Sequence, residues 1–259
     1  MTNVILCGCG GRMGQAIVRA SETDSELNIL AGIDVNADAL GAACKFPVYQ
    51  LISQVPVSAD VIIDFSHHTA LPSLLDYAVA TGTPIVVATT GHTEEEKAMM
   101  AEASKKVAIF FSGNMSIGIN LLIELCKTAA ATLGESFDVE IIEKHHNQKL
   151  DAPSGTAIMI ADAIRDEREC TEYVYDRHSV RKARESSEIG IHSVRGGTIV
   201  GEHEVLFAGN NELISISHTA TSREIFANGA LRAAKYLSKK SAGIYNMSGL
   251  INEQLNTEN

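Results

Sequence analysis

From Asn3 to Ser112, short apolar runs rich in β-branched residues alternate with stretches of helical periodicity, and no other feature restricts the possible folds of this chain as much. The runs are VILCG, LNILAGID, VIIDF, PIVVATT and VAIFFS, and helices are expected near residues 11–22, 69–81 and 93–106. Strands separated by helices can return beside one another only through crossover connections, which makes them parallel. Thr93 with Glu96 spells a capping box, and Ser66 stands where the cap of the preceding helix is expected.

After a helix over about 118–133 the pattern changes. FDVEIIE and a helix over about 155–169 precede three strand sequences, EIGIHSVRGG, TIVGEHEVLF and ELISISHTA, joined by short polar or glycine turns. This order predicts an α+β second domain with a mixed or antiparallel sheet, beginning near residue 117. The closing helix REIFANGALRAAKYLSKK and its Gly/Ser/Asn-rich tail are expected to return to the first domain. That divides the chain into 1–116 completed by 224–259, and 117–223.

With 259 residues, 45% of them hydrophobic, the chain can bury a sizeable core. No apolar run is read as reaching the ~18 residues of a bilayer span. The first residues lack a basic segment followed by an apolar signal core, so a cytoplasmic location is expected. A net charge of −11 and a pI near 5.3 argue against nucleic acid and anionic membranes as partners, since phosphate surfaces require clustered cations. An anionic ligand must therefore meet a local basic pocket. Cys7, Cys9, Cys44, Cys126 and Cys170 form an odd set without paired CxxC spacing, so reduced, mostly buried thiols and no structural metal are expected.

Between the first strand and the first helix lies GCGGRMG, with glycines at 8, 10, 11 and 14. Glycines let the backbone turn sharply and approach a pyrophosphate, which rests on unpaired N–H groups at the positive end of the helix dipole. The spacing departs from GxGxxG and is a weak signal alone. Asp34 strengthens it: it ends the second strand 20 residues after Gly14, where a carboxylate can accept from the ribose hydroxyls of an adenosine. Together these mark a Rossmann-like dinucleotide-binding domain. Val35 follows where a basic side chain would hold a 2′-phosphate, and Asp34 would repel that phosphate, so NADH is expected in preference to NADPH. Arg12 reads equally as a phosphate contact or as a surface helix residue. Ala88–Thr93 (ATTGHT) and Ser112–Ser116 (SGNMS) end two further strands; in a parallel sheet they border the nicotinamide, although each taken singly is an ordinary small-residue turn.

The second domain opens on EKHHNQKLDAPSGTA, which gathers Lys144, His145, His146 and Lys149 in an otherwise acidic chain. Pro153, Ser154, Gly155 and Thr156 then start a helix whose free N–H groups can hold a carboxylate. Histidine is the side chain most easily tuned to exchange a proton near neutral pH. The cluster reads as a dicarboxylate pocket, or, without the first domain, as a solvated face with a surface histidine pair. His67 and His68 read as polar turn residues, and Met99, Met100, Met115 and Met159 as packing. Glu140, Glu143 and Glu202 offer no acid pair of useful spacing.

GCGGRMG, ATTG, SGNMSIG, HHNQKLDAPSGTA, SVRGGTIVGEHEVLF and REIFANGALRAA occur in this order, and together they make the chain resemble the dihydrodipicolinate (4-hydroxy-tetrahydrodipicolinate) reductases of bacterial lysine and diaminopimelate biosynthesis. The resemblance implies reduction of a cyclic dicarboxylate by NAD(P)H, with loss of its hydroxyl as water. It implies His145 as proton donor or acceptor, Lys149 as a second proton donor, and His146, Gly155 and Thr156 as substrate-holding residues. By the same resemblance Gly8, Cys9, Gly10, Gly11, Arg12, Met13, Asp34, Ala88, Thr89, Thr90, Ser112, Gly113, Asn114 and Met115 form the cofactor site. It further implies a homotetramer built on the sheets of the substrate-binding domains, and hinge closure bringing residues 145–149 over the nicotinamide. Many family members have Arg where this chain has Val35, and Gly where it has Ala88. Two rivals remain: an amino-acid semialdehyde dehydrogenase, which has no need of the His–His–Lys cluster, and a non-catalytic NADH sensor, which would tolerate loss of His145 and Lys149.

Overall fold

The computed structural model describes residues 1–41, 44–168 and 172–257. Cys170 lies outside the described residues, and the helix expected over about 155–169 ends earlier, at Arg165. The chain divides into two compact units, Met1–Ile117 with Arg223–Asn259, and Gly118–Ser222.

In the first unit, β1 (Thr2–Cys7), α1 (Arg12–Ser21), β2 (Leu27–Ile33), a single turn α2 (Ala37–Leu40), β3 (Val48–Tyr49), β4 (Val61–Asp64), α3 (Leu71–Thr81), β5 (Ile85–Val87), α4 (Glu94–Ala103) and β6 (Ala108–Phe111) follow in order. The second unit contains all but the first residue of α5 (Ile117–Leu133), then β7 (Asp138–His145), α6 (Gly155–Arg165), β8 (Glu172–Val174), β9 (Glu188–Arg195), β10 (Gly201–Gly209) and β11 (Glu212–Ala220). The chain then rejoins the first unit as α7 (Glu224–Leu237), β12 (Gly243–Tyr245) and α8 (Met247–Thr257). The Gly/Ser/Asn-rich tail thus supplies both an edge strand and a helix.

The first sheet runs β12-β6-β5-β4-β1-β2-β3, with every neighbouring pair parallel. Alternation along each strand divides its side chains between two cores. Val4, Leu6, Val61, Ile63, Val86 and Phe110 pack with α1, α7 and α8, whereas Ile5, Cys7, Ile62, Ile85, Val87 and Ile109 pack with α3 and α4. Burial on both faces explains why these strands read as continuous apolar runs. Cys7, Ile33, Asp64, Val87 and Phe111 stand level across five strands, so the turns that follow them line one edge of the sheet, where parallel α/β sheets bind ligands.

The second sheet is mixed and runs β11-β10-β7-β9-β8. β10 pairs antiparallel with β7 and β11, while β7, β9 and β8 run parallel. The consecutive strands β9 and β10 do not pair with each other, because β7 lies between them. Ile117–Ser136 is, by length and composition, apolar enough for a membrane span, with a mean hydropathy of 1.3, which corrects the reading that no run reaches that length. One face of it, with Ile119, Leu122, Ile123, Cys126 and Ala130, is buried in the core of the second unit with α6 and the sheet, while Leu121 and Leu125 on the other face are exposed. Cys7, Cys9 and Cys126 are buried free thiols, and Cys44 is a partly exposed one.

Candidate active site

The turn after β1 is shaped by close backbone approach. Gly8 has φ +75°, and a Cβ on Gly14 would stand 2.1 Å from the Gly8 carbonyl oxygen and 2.7 Å from Cys9 Cα. Only a bare backbone lets α1 begin this near to β1, and the same economy of atoms leaves room for a pyrophosphate. Asp34 braces the turn: Oδ2 accepts from Gly10 N at 2.9 Å and Oδ1 from Asn36 N at 3.0 Å.

Two adjoining cavities of about 560 and 620 Å³ share Gly11, Phe65, Ser66 and His67. Arg12, Met13, Ala88, Thr89, Thr90 and Ser112–Met115 border the first, and Gly8, Gly10, Asp34 and Val35 the second. Gly11 borders both, so of the residues assigned to the cofactor from sequence only Cys9 is absent from the walls. Its side chain is buried against Gly32 and Phe46. Arg12 begins α1 and stands exposed on the cavity wall.

The turn after β4 joins this site unannounced. Asp64 is fully buried; it accepts from Ser66 N at 2.9 Å, Ser66 Oγ at 2.5 Å and Thr89 Oγ1 at 3.0 Å, tying two cavity walls together. Burial pushes its carboxyl up, and these hydrogen bonds oppose that shift. Ser66 therefore does not cap a helix as expected: its hydroxyl is spent on Asp64, and His67 caps the following 3-10 turn. Beyond it, His68 and His92 both bond Glu96, at 2.8 and 3.2 Å, and Thr93 with Glu96 forms the expected capping box. The signal for Phe65–His68 was available, since VIIDF must end on the same sheet edge as the glycine turn.

In the second unit, β7 alternates strictly, with Val139, Ile141, Glu143 and His145 on its buried face. Lys144 therefore points the other way and pairs with Glu202 at 2.9 Å, which removes it from the basic cluster. Glu143 takes its place. It is fully buried and lies 2.6 Å from His145 Nδ1. Arg195 grips its two oxygens at 2.8 and 2.7 Å. Burial alone would raise the Glu143 carboxyl; Arg195, His145 and Ser193 outweigh it and hold it at about 2. His145 is pushed below its ordinary value, chiefly by burial, although Glu143 opposes the shift.

Lys149 pairs with Asp151 at 2.8 Å, and its backbone N–H closes a turn on the His146 carbonyl. Ser154 caps α6 through Ala157 N, leaving Gly155 exposed and Thr156 partly exposed in the first turn. His146, Lys149, Gly155 and Thr156 thus lie in the segment between the end of β7 and the start of α6. In the sequence Glu143 is set aside as offering no acid pair and Arg195 is not singled out, although a glutamate two residues before a histidine in a strand shares its face. Among the described residues no group of three or more His, Cys, Asp and Glu is placed to hold a metal.

Beneath this segment Ser154 Oγ is 3.1 Å from His203 Nε2. Burial first, then His145, lowers His203 to about 4. A neutral imidazole buried in this way stabilises the fold above the unfolded value near 6.5, and that contribution is lost as pH falls from there to about 4. His203→Gln should accordingly flatten the acid limb of a stability-against-pH curve by up to about 3 kcal/mol, as measured by urea unfolding between those pH values.

A parallel sheet with a glycine turn against a strand-ending acid, joined in one chain to a unit bearing a histidine, a lysine and a helix start, defines a nicotinamide-dinucleotide-dependent oxidoreductase. The sequence pattern of the dihydrodipicolinate reductase N-terminus matches residues 2–115, and that of the C-terminus residues 118–251. The chain belongs to the dihydrodipicolinate reductase family. It is 52% identical to the 4-hydroxy-tetrahydrodipicolinate reductase of Caldanaerobacter subterraneus subsp. tengcongensis, across 97% of this chain and 98% of the relative. It is 48% identical to that of Clostridium novyi across the same shares. A dipicolinate-bound dihydrodipicolinate reductase from Paenisporosarcina sp. TG-14 superimposes with a TM-score of 0.79 at 26% identity, covering 97% of this chain and 99% of that one. A probable dehydrogenase from Thermotoga maritima, 11% identical with a TM-score of 0.64 and covering 99% of this chain and 97% of its own, shares the fold.

Proposed function

We propose that the chain reduces 4-hydroxy-tetrahydrodipicolinate to tetrahydrodipicolinate with NADH in preference to NADPH, in lysine and diaminopimelate biosynthesis, as a cytoplasmic homotetramer. The observation that carries this reading is the basic, hydrogen-bonded segment from His145 to Thr156 in a chain of net charge −11. Two carboxylates of one small ring need such local cations and helix N–H groups. A bound nicotinamide dinucleotide supplies the hydride. His145 and Lys149 hold and move the protons that accompany it, and His146 with Gly155 and Thr156 orients the ring carboxylates.

The cofactor preference rests on Asp34. Two backbone N–H groups hold its carboxylate in place, and the adjoining cavity wall carries Val35, Asn36 and Gln50 with no lysine or arginine among its described residues. A 2′-phosphate would face that carboxylate uncompensated. The ratio of kcat/KM for NADH to that for NADPH should exceed about tenfold and fall towards unity in Asp34→Asn, which removes the charge. A wild-type preference for NADPH overturns the cofactor reading. The activity is tested by NADH oxidation with freshly generated 4-hydroxy-tetrahydrodipicolinate beside a semialdehyde control. Cofactor binding with neither substrate consumed would leave the sensor reading standing.

A further inference from the structure

The geometry points to Glu143 as a positioning residue. Clamped by Arg195, its carboxylate holds His145 with the ring proton on Nδ1 and leaves Nε2 for proton exchange, an inference that rests on reading His145 as the proton-exchanging group. Glu143 is fully buried on the inner face of β7. Besides His145 it meets donors: Arg195 Nη1 at 2.8 Å on Oε2, Arg195 Nη2 at 2.7 Å on Oε1, and the Ser154 backbone N–H at 3.1 Å on Oε1. A carboxylate compensated by a bidentate guanidinium and a peptide N–H stays ionised and can only accept. The 2.6 Å contact with His145 is therefore a bond that Nδ1 donates. In the neutral ring this makes Nε2 the acceptor; in the charged ring Nε2 carries the proton to be given up.

The surroundings of Nε2 agree with that assignment. A Cβ on Gly201 would come within 3.2 Å of Nε2, so the absence of a side chain at the start of β10 keeps the flank of this nitrogen open. The same ion pair also organises the rest of the segment. Arg195 Nη2 donates to the Asp151 carbonyl at 2.7 Å, and the Asp151 side chain holds Lys149. Ser154, whose N–H rests on Glu143, caps α6 at the point where Gly155 and Thr156 begin it. One buried pair thus sets the ring's tautomer, the lysine turn and the helix start together. A buried ion pair with a merely structural role would be replaceable without consequence for the tautomer.

The test is nitrogen NMR of the full-length protein labelled with 15N-histidine, the His145 signals being assigned by their loss in His145→Gln. Wild-type protein at a pH where His145 is neutral should show a protonated Nδ1 and a bare Nε2. In Glu143→Gln, whose carboxamide can either accept or donate, the ring should lose that preference. There kcat should fall by roughly a hundredfold, while KM for the dicarboxylate moves less than about threefold. A wild-type ring protonated on Nε2 overturns the inference, and this result is available even where Glu143→Gln does not fold. An unchanged tautomer in a folded Glu143→Gln overturns it too, whatever happens to the rate. Failure of the wild-type protein to consume 4-hydroxy-tetrahydrodipicolinate would instead defeat the functional reading, with the tautomer still deciding the role of Glu143.

Discussion

His145→Gln lowers kcat for 4-hydroxy-tetrahydrodipicolinate by roughly a hundredfold or more, and Lys149→Ala does the same, because each removes a group that stabilises or delivers charge as the bonds change. NADH binding, followed by its fluorescence, should be unaffected, since the cofactor cavities are walled by residues of the first unit and the two substitutions fall in the second. The ionisation of His145 adds a second readout. Burial holds the free ring below its ordinary value, so at neutral pH the resting imidazole is uncharged. A dicarboxylate arriving beside it favours the charged form. Binding should therefore take up a proton, visible as a dependence of calorimetric binding enthalpy on buffer ionisation enthalpy, and absent in His145→Gln. Full turnover by both variants would remove His145 and Lys149 from the chemistry.

Arg195→Met has the largest expected effect on stability. It strips the bidentate partner from a fully buried carboxylate, leaving Glu143 with Ser154 N, Ser193 and His145. Breaking a buried pair from one side costs about 3–5 kcal/mol, and the thermal transition should drop by roughly 10 °C or more. The sign of its pH dependence is defined. In the wild-type protein Glu143 lies at about 2, so its contribution is complete above the unfolded value near 4.5 and is lost as pH falls from there towards 2. In the variant the same buried group favours its neutral form, so acid relieves the penalty. The two stability curves should converge as pH falls below 4.5, and a gap that widens on acidification would show that Glu143 is not the source of the loss.

The alternating runs of the first half carried the parallel sheet in full view, because a strand buried on both faces must be apolar throughout. GCGGRMG and Asp34 were legible for a related reason: their roles depend on backbone shape and strand ends, which are local properties. HHNQKLDAPSGTA announced a basic segment for the same reason. Its wiring was not announced. Lys144 belongs to the same short segment, yet the alternation of β7 sends it to Glu202, whereas Glu143, passed over as an unpaired acid, comes to lie against His145.

What the sequence by itself determined is the set of local commitments: which stretches are strands and helices, where the backbone must be bare, and that an acidic chain carries a cationic segment from Lys144 to Lys149. Only the tertiary structure decided which strands are neighbours. The insertion of β7 between β9 and β10 lets Arg195, at the end of β9, reach Glu143 on β7, and sets Gly201, at the start of β10, beside His145. Residues some fifty positions apart meet through register and strand order, and these are settled by the total burial of two sheets rather than by any local run of residues.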